Sequence, residues 1–184
     1  DLLHVDAGSL ENHYVAMPPT YQQEQVLQLR SAEIIKKHVS VPIATNGKLG
    51  DIDKGEHALA ENKTDLLVIG GSLLALPYLI KKLEENHPGD IVPCIGCNEC
   101  IAHVTAGKHI VCTVNPEAGK ETTMKLKKAE KPKKILVVGG GPGGLSAALD
   151  AKRAGHEVEI WEKTYTLGGM INAAGRPSFK LEVD

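Results

Sequence analysis

Four cysteines, Cys94, Cys97, Cys100 and Cys112, crowd into nineteen residues, and the chain has no others. Thiolates are soft, charge-rich donors that suit zinc and iron–sulfur clusters, and four of them complete a ligand set. A disulfide framework usually spreads its cysteines to close several loops, whereas these cluster with CxxC spacing. Metal ligation is therefore expected, in a reducing compartment such as the cytoplasm. Ligand count alone leaves both a cluster and a zinc knot open.

A second constellation follows. Ile135-Leu136-Val137-Val138 reads as a buried strand running straight into Gly139-Gly140-Gly141-Pro142-Gly143-Gly144. Gly139, Gly141 and Gly144 fit GxGxxG: a tight turn, a close approach for pyrophosphate and a helix–strand contact. Leu145-Ser146-Ala147-Ala148-Leu149 then begins a helix whose N-terminal N–H groups face the phosphates. A second strand, Val158-Glu159-Ile160-Trp161, delivers Glu162 twenty-one residues after Gly141. A carboxylate there accepts ribose hydroxyls, which favours FAD or NAD over a 2′-phosphorylated cofactor. The alternative is a glycine-rich turn that only imitates the fingerprint.

Ahead of the cysteines the chain alternates strand and helix. Strands are expected at 2–6, 41–45 and 66–69, with helices at 25–38, from Asp51 or Asp53 to Glu61, and from about Leu74 to Glu85 with Pro77 in its first turn. That order implies parallel strands with crossover helices. The segment is either a small open sheet or the last part of a (β/α)8 TIM barrel. The barrel is favoured by Asn46-Gly47-Lys48 and Gly70-Gly71-Ser72, which would be its two phosphate loops. Read plainly, the same residues are ordinary turns.

The chain is 184 residues long, 42% apolar and 3% aromatic, with a net charge of −2. This balance gives no electrostatic case for nucleic acid or an anionic membrane, and no apolar run has the length of a bilayer span or the form of a signal peptide. Lys125, Lys127, Lys128, Lys131, Lys133 and Lys134 lack interleaved aromatics and read as a solvated linker. Three segments are expected: 1–93, the end of the barrel; 94–131, the metal segment and linker; and 132–184, the start of a Rossmann-like domain. Both chain ends look like cuts through structure.

In this order the motifs resemble the iron–sulfur flavoenzymes of the old yellow enzyme superfamily, a group containing 2,4-dienoyl-CoA reductase, trimethylamine dehydrogenase and the 2-enoate reductases. The most specific matches are Pro93-Cys94-Ile95-Gly96-Cys97-Asn98 and Cys112-Thr113-Val114-Asn115-Pro116. Asp6-Ala7-Gly8-Ser9-Leu10-Glu11 with Pro18-Pro19-Thr20-Tyr21 looks most like the 2-enoate reductase branch. Leu167-Gly168-Gly169-Met170, after Glu162-Lys163, resembles the two-dinucleotide-domain flavoproteins and so points to FAD.

The resemblance implies an electron path from NAD(P)H to FAD, through a 4Fe-4S cluster on the four cysteines, to FMN, and then to an activated alkene. FMN would use Gly47, Lys48, Gly70 and Gly71; FAD would use Gly139, Gly141, Pro142, Gly143, Gly144, Glu162, Lys163 and Gly169. Three departures stand out. Cys97 and Cys100 are one residue closer than the family's CxxxC. The family's phosphate-gripping arginine is Gly71 here, with Lys48 a substitute charge. The histidine that dienoyl-CoA reductase carries after the sixth strand is Leu10, which leaves neighbouring Tyr14 and His13 as proton-donor candidates or as plain loop residues. His103 and His109 are taken as loop histidines and not ligands.

An NAD(P)H-dependent enoate-type reductase acting on a small unsaturated molecule is the leading expectation. An amine dehydrogenase and a non-catalytic nucleotide-binding protein with a zinc knot are the alternatives. The 184 residues by themselves are expected to be inactive. The oligomeric state stays open, a homo-oligomer included.

Overall fold

The computed structural model describes residues 1–6, 11 and 27–177, and the chain divides into two compact units, Asp1–Gly119 and Lys120–Asp184. It is a mixed α/β protein. Among the described residues no helix is long and apolar enough to cross a membrane.

In the first unit, three short apolar runs form β1 (Leu3–Val5), β2 (Ile43–Thr45) and β3 (Leu66–Leu67), parallel and in the order β1-β2-β3. Val5 pairs with Thr45, and Thr45 with Leu67. Parallel neighbours need crossovers, supplied here by α1 (Leu27–Lys36) and α2 (Ile52–Ala60). On α1, Ala32 and Ile35 share a face and pack against Val5 and Ile43. Asp51 is the N-cap of α2, its carboxylate accepting the Lys54 N–H at 3.3 Å, and Asp53 sits in the first turn.

Polar side chains tie the strand ends together. Thr45 Oγ1 donates to the Val5 carbonyl at 3.0 Å, and buried Thr64 Oγ1 lies within reach of the Ile43 and Leu66 carbonyls. Asp65 accepts the Ile43 N–H at 2.8 Å and Lys36 Nζ at 2.6 Å. These bonds, the Lys36 ammonium foremost, hold its carboxyl below the usual range.

Two expectations change here. β3 is a pair of residues and not four, although Val68 N–H still reaches the Thr45 carbonyl at 2.8 Å. The expected helix from Leu74 to Glu85 is instead two helices, α3 (Gly71–Ala75) and α4 (Leu79–Glu84). Pro77 explains the break, because it has no N–H to donate and drives the residue before it out of helical conformation. Leu76 accordingly takes φ −142° and ψ 97°. A 3-10 turn (Pro88–Asp90) leads to the cysteines, and α5 (Glu99–Thr105) lies among them.

The second unit is built on β4 (Lys134–Val138) and β5 (Glu157–Trp161), parallel neighbours joined through α6 (Pro142–Arg153). α6 packs on both strands, with Ala148 buried. A short α7 (Ile171–Ala174) follows. The lysine-rich stretch before β4 is mostly exposed, yet it is fastened. The Ala129 N–H bonds the Ala154 carbonyl at 2.8 Å, and Lys128 Nζ donates to the Arg153 carbonyl at 2.8 Å. Both acceptors sit at the C-terminal end of α6, where carbonyls lack helical partners and a cation is favoured.

Candidate functional site

In the first unit the two glycine-bearing loops meet. A β-carbon on Gly50, after β2, would collide with Ser72 Oγ and lie 2.9 Å from Ile69 Cγ2, both in the segment after β3. Gly47 has φ +106° and Lys48 +57°, a left-handed turn that brings this loop round. Asn46 Oδ1 is buried with no hydrogen-bond partner among the described residues, and a β-carbon on Gly70 would meet nothing within 4 Å. An unpartnered buried acceptor and open backbone at Gly70 are compatible with a bound polar group such as the FMN phosphate end, with Lys48 the neighbouring cation.

The cysteine segment packs onto the same loop. A β-carbon on Gly71 would lie 3.0 Å from Cys94 Sγ, so the missing side chain makes room for the sulfur. From the other end, Asn115 Nδ2 donates to the Leu74 carbonyl at 2.8 Å while its Oδ1 accepts the Glu117 N–H at 3.1 Å. Left-handed φ angles of +61° at Gly96 and +58° at Asn98 turn the chain between Cys94 and α5.

All four cysteines are free of disulfides. Burial pushes the Cys94 and Cys100 thiols up, opposed by N–H donors at Gly96 and Ile101, and the other sulfurs reinforce the rise. Partly buried thiols in mutual electrostatic reach favour a cation that would take their protons' place. Among the described residues, no three His, Cys, Asp or Glu side chains are placed to hold one metal ion. A lone tetrahedral zinc would need sulfurs about 3.8 Å apart, given Zn–S bonds of about 2.3 Å. In a cluster each thiolate has its own iron, and four thiols are the donor set such a group takes. His103 lies on α5 and not in a loop; its Nε2 is 3.3 Å from Glu99 Oε1 and its Nδ1 3.3 Å from the His109 carbonyl.

In the second unit the fingerprint takes the geometry its spacing predicts. Gly139 has φ +106°, and a β-carbon on Gly144 would collide with the Gly139 carbonyl. Gly139, Gly141 and Gly143 have open space on their outer sides. Gly141 precedes the twelve-residue α6, whose first turn opens with Pro142 and carries no side-chain cap. Its N–H groups are thus available to an anion such as pyrophosphate. The second glycine pair closes on this loop: Gly168 N–H bonds the Gly140 carbonyl at 2.8 Å, and a β-carbon on Gly169 would sit 3.1 Å from Gly141 Cα.

Glu162 follows β5 directly, and its carboxylate braces the glycine turn. Its Oε2 accepts the Gly140 N–H at 2.7 Å, and its Oε1 accepts Thr164 N–H and Oγ1 at 2.9 and 3.0 Å. Of roughly four acceptor sites on a carboxylate, three are used, leaving one for a ribose hydroxyl. Lys163 is exposed beside it. His13 and Tyr14, the proton-donor candidates, lie outside the described residues. The sequence names Asn115 within a motif and Lys128 within the linker but not the bonds they make, because their partners are distant in the chain.

Comparison with known proteins agrees with these motifs. The FAD dependent oxidoreductase family matches residues 134–182. Cinnamate reductase of Clostridium sporogenes is 40% identical over 98% of this chain and 27% of its own length. NADH oxidase of Thermoanaerobacter brockii is 37% identical over 99% of this chain and 28% of its own. Among solved structures, that of 2-naphthoyl-CoA reductase superposes with a TM-score of 0.90 at 31% identity, covering 99% of this chain and 28% of that one. The chain thus spans little more than a quarter of the length of these relatives. Over that span it belongs to the old yellow enzyme-like flavoenzymes of the 2-enoate reductase group.

Proposed function

We propose that this chain is part of an NAD(P)H-dependent flavin oxidoreductase that reduces an activated C=C bond of enoate or enoyl type. The observation that carries the proposal is the seating of the cysteine segment on the loop after β3. Cys94 Sγ stands against Gly71, and Asn115 holds Leu74. A set of redox-metal ligands and a phosphate-type loop thereby share one wall. The Gly139–Gly144 fingerprint supplies the second nucleotide site. Similarity to a cinnamate reductase and to a 2-naphthoyl-CoA reductase favours an unsaturated acid or thioester as substrate.

In this reading, residues 1–93 form the end of an FMN-binding barrel and 132–184 begin an FAD domain of Rossmann type, with the cysteine segment between. Gly47, Lys48, Gly70 and Gly71 would hold FMN; Gly139, Gly141, Pro142, Gly143, Gly144, Glu162, Lys163 and Gly169 would hold FAD; the four cysteines would hold a 4Fe-4S cluster. When bound, the flavins carry electrons in pairs and the cluster carries them singly. The protein's own part is to fix those groups: backbone N–H donors receive the phosphates, Glu162 orients the glycine turn, and Lys48 offsets phosphate charge. The net reaction adds a hydride from NAD(P)H and a proton across the double bond. His13 or Tyr14, which follow β1 in sequence, are proposed to supply that proton.

The test is anaerobic NADH and NADPH oxidation by the full-length protein with a panel of unsaturated acids and their thioesters. Alkene-dependent oxidation is expected, and its absence across the panel overturns the reductase assignment. About four irons and four labile sulfides per chain are expected for four thiolate ligands. One zinc and no iron would replace the cluster with a structural knot, and Cys97→Ser should bleach any cluster absorption.

A further inference from the structure

The donors that serve the cysteine sulfurs are of two kinds. Cys94 and Cys100 accept main-chain N–H groups, from Gly96 and Ile101. No substitution other than proline removes those. Cys97 is served by a side chain: its Sγ lies 3.1 Å from Thr113 Oγ1, sixteen residues away in sequence and next to Cys112. In the free protein either atom could donate. Once Cys97 ligates metal it is a thiolate with no proton to give, so the hydroxyl is the only donor left.

We propose that Thr113 is a positioning residue whose hydroxyl donates to the Cys97 thiolate and raises the one-electron reduction potential of the cluster. This rests on the cluster reading given above. The reduced cluster carries one more electron, part of it on its thiolate sulfurs, and no bond is made or broken when it enters. A hydrogen bond to a more negative sulfur is stronger, so the donor favours the reduced form. The same short stretch therefore supplies one ligand, Cys112, and the donor that tunes another.

Both partners are exposed, so water could replace a hydroxyl that is simply deleted. Thr113→Val is the sharper probe, because it keeps the shape and fills the position with a methyl group. The measurement is an anaerobic redox titration of the full-length protein against a chemical reductant, following the paramagnetic reduced cluster, with iron and sulfide counted in each preparation. At the poise where the parent cluster is half reduced, the reduced-to-oxidised ratio in Thr113→Val should fall about tenfold, equivalent to about 59 mV for one electron. Thr113→Ser should restore it to within about twofold, since its hydroxyl can make the same bond. An unchanged midpoint in iron-replete Thr113→Val overturns the proposal while leaving the cluster intact. If that variant fails to load iron, Thr113→Ile, which also fills the position without a hydroxyl, is read the same way, and an unchanged midpoint there also overturns it. A parent protein without iron overturns the cluster reading and this inference together.

Discussion

Glu162 Oε2 accepts the Gly140 N–H at 2.7 Å, so the carboxylate at the end of β5 holds the glycine turn at the end of β4. The Gly140 bond first, then those from Thr164, keep the carboxyl below its usual range. A carboxylate whose folded pKa is depressed contributes stability that is fully present above its unfolded value. That contribution is lost as pH falls through the folded one. Thermal melting of the parent should therefore weaken more steeply below about pH 4.3, the usual glutamate value, than melting of Glu162→Gln. Identical pH profiles would remove Glu162 as the latch.

The glycine turn itself gives a second test. A β-carbon on Gly144 would run into the Gly139 carbonyl, which is backbone and cannot swing aside as a side-chain tip would. Gly144→Ala should destabilise the fold by about 1–3 kcal/mol, the usual range for overpacking. It should also lower the flavin retained per chain, because α6 must back away from β4. Chemical denaturation and flavin counting check both, and parent-like values in each would mean the turn tolerates the contact.

What could be read from sequence was whatever is encoded locally. Asp51 as N-cap, the parallel strands at 3–5 and 43–45, and the turn at Gly139 follow from neighbours within a few residues. Pro77 was legible as a helix signal but misplaced. Local rules allowed it in a first turn, and the helix had already begun at Gly71. The pairs that shape the site escaped notice because burial patterns do not name partners. Asn115 reaches Leu74 across forty-one residues, and Lys128 reaches Arg153 across twenty-five. The bond from Glu162 to Gly140 hid behind a residue already given another task.

Asn115 ties the stretch after Cys112 to α3 by one bond, to the Leu74 carbonyl, and braces that stretch by a second, local one from the Glu117 N–H. The Leu74 bond is part-buried and the Glu117 bond exposed, so deleting the amide strands the Leu74 carbonyl while water can take the Glu117 N–H. Asn115→Ala should cost about 1–3 kcal/mol of stability, the penalty for leaving a buried polar group unmade. Iron content per chain should fall with it, since Cys112 loses its anchor. Asn115→Asp keeps the acceptor for Glu117 and loses the donor to Leu74, so its loss should be intermediate if both bonds matter. A variant with parent stability and full iron would show that the contact does not anchor the segment.

Gly71 belongs to the proposed FMN loop and stands against Cys94. A β-carbon there would lie 3.0 Å from Cys94 Sγ, closer than ordinary carbon–sulfur contact, so either the sulfur or the loop must shift by a few tenths of an ångström. Its backbone is not left-handed, so space and not conformational strain decides the outcome. Gly71→Ala should reduce iron occupancy modestly and Gly71→Val more strongly, with stability falling by about 1–3 kcal/mol as overpacking grows. If the loop gives way in place of the sulfur, FMN per chain should drop while iron stays full. Counting iron and both flavins in the two variants separates these responses. Parent-like values for all of them in Gly71→Val would mean that the cysteine segment and the glycine loop do not share a wall.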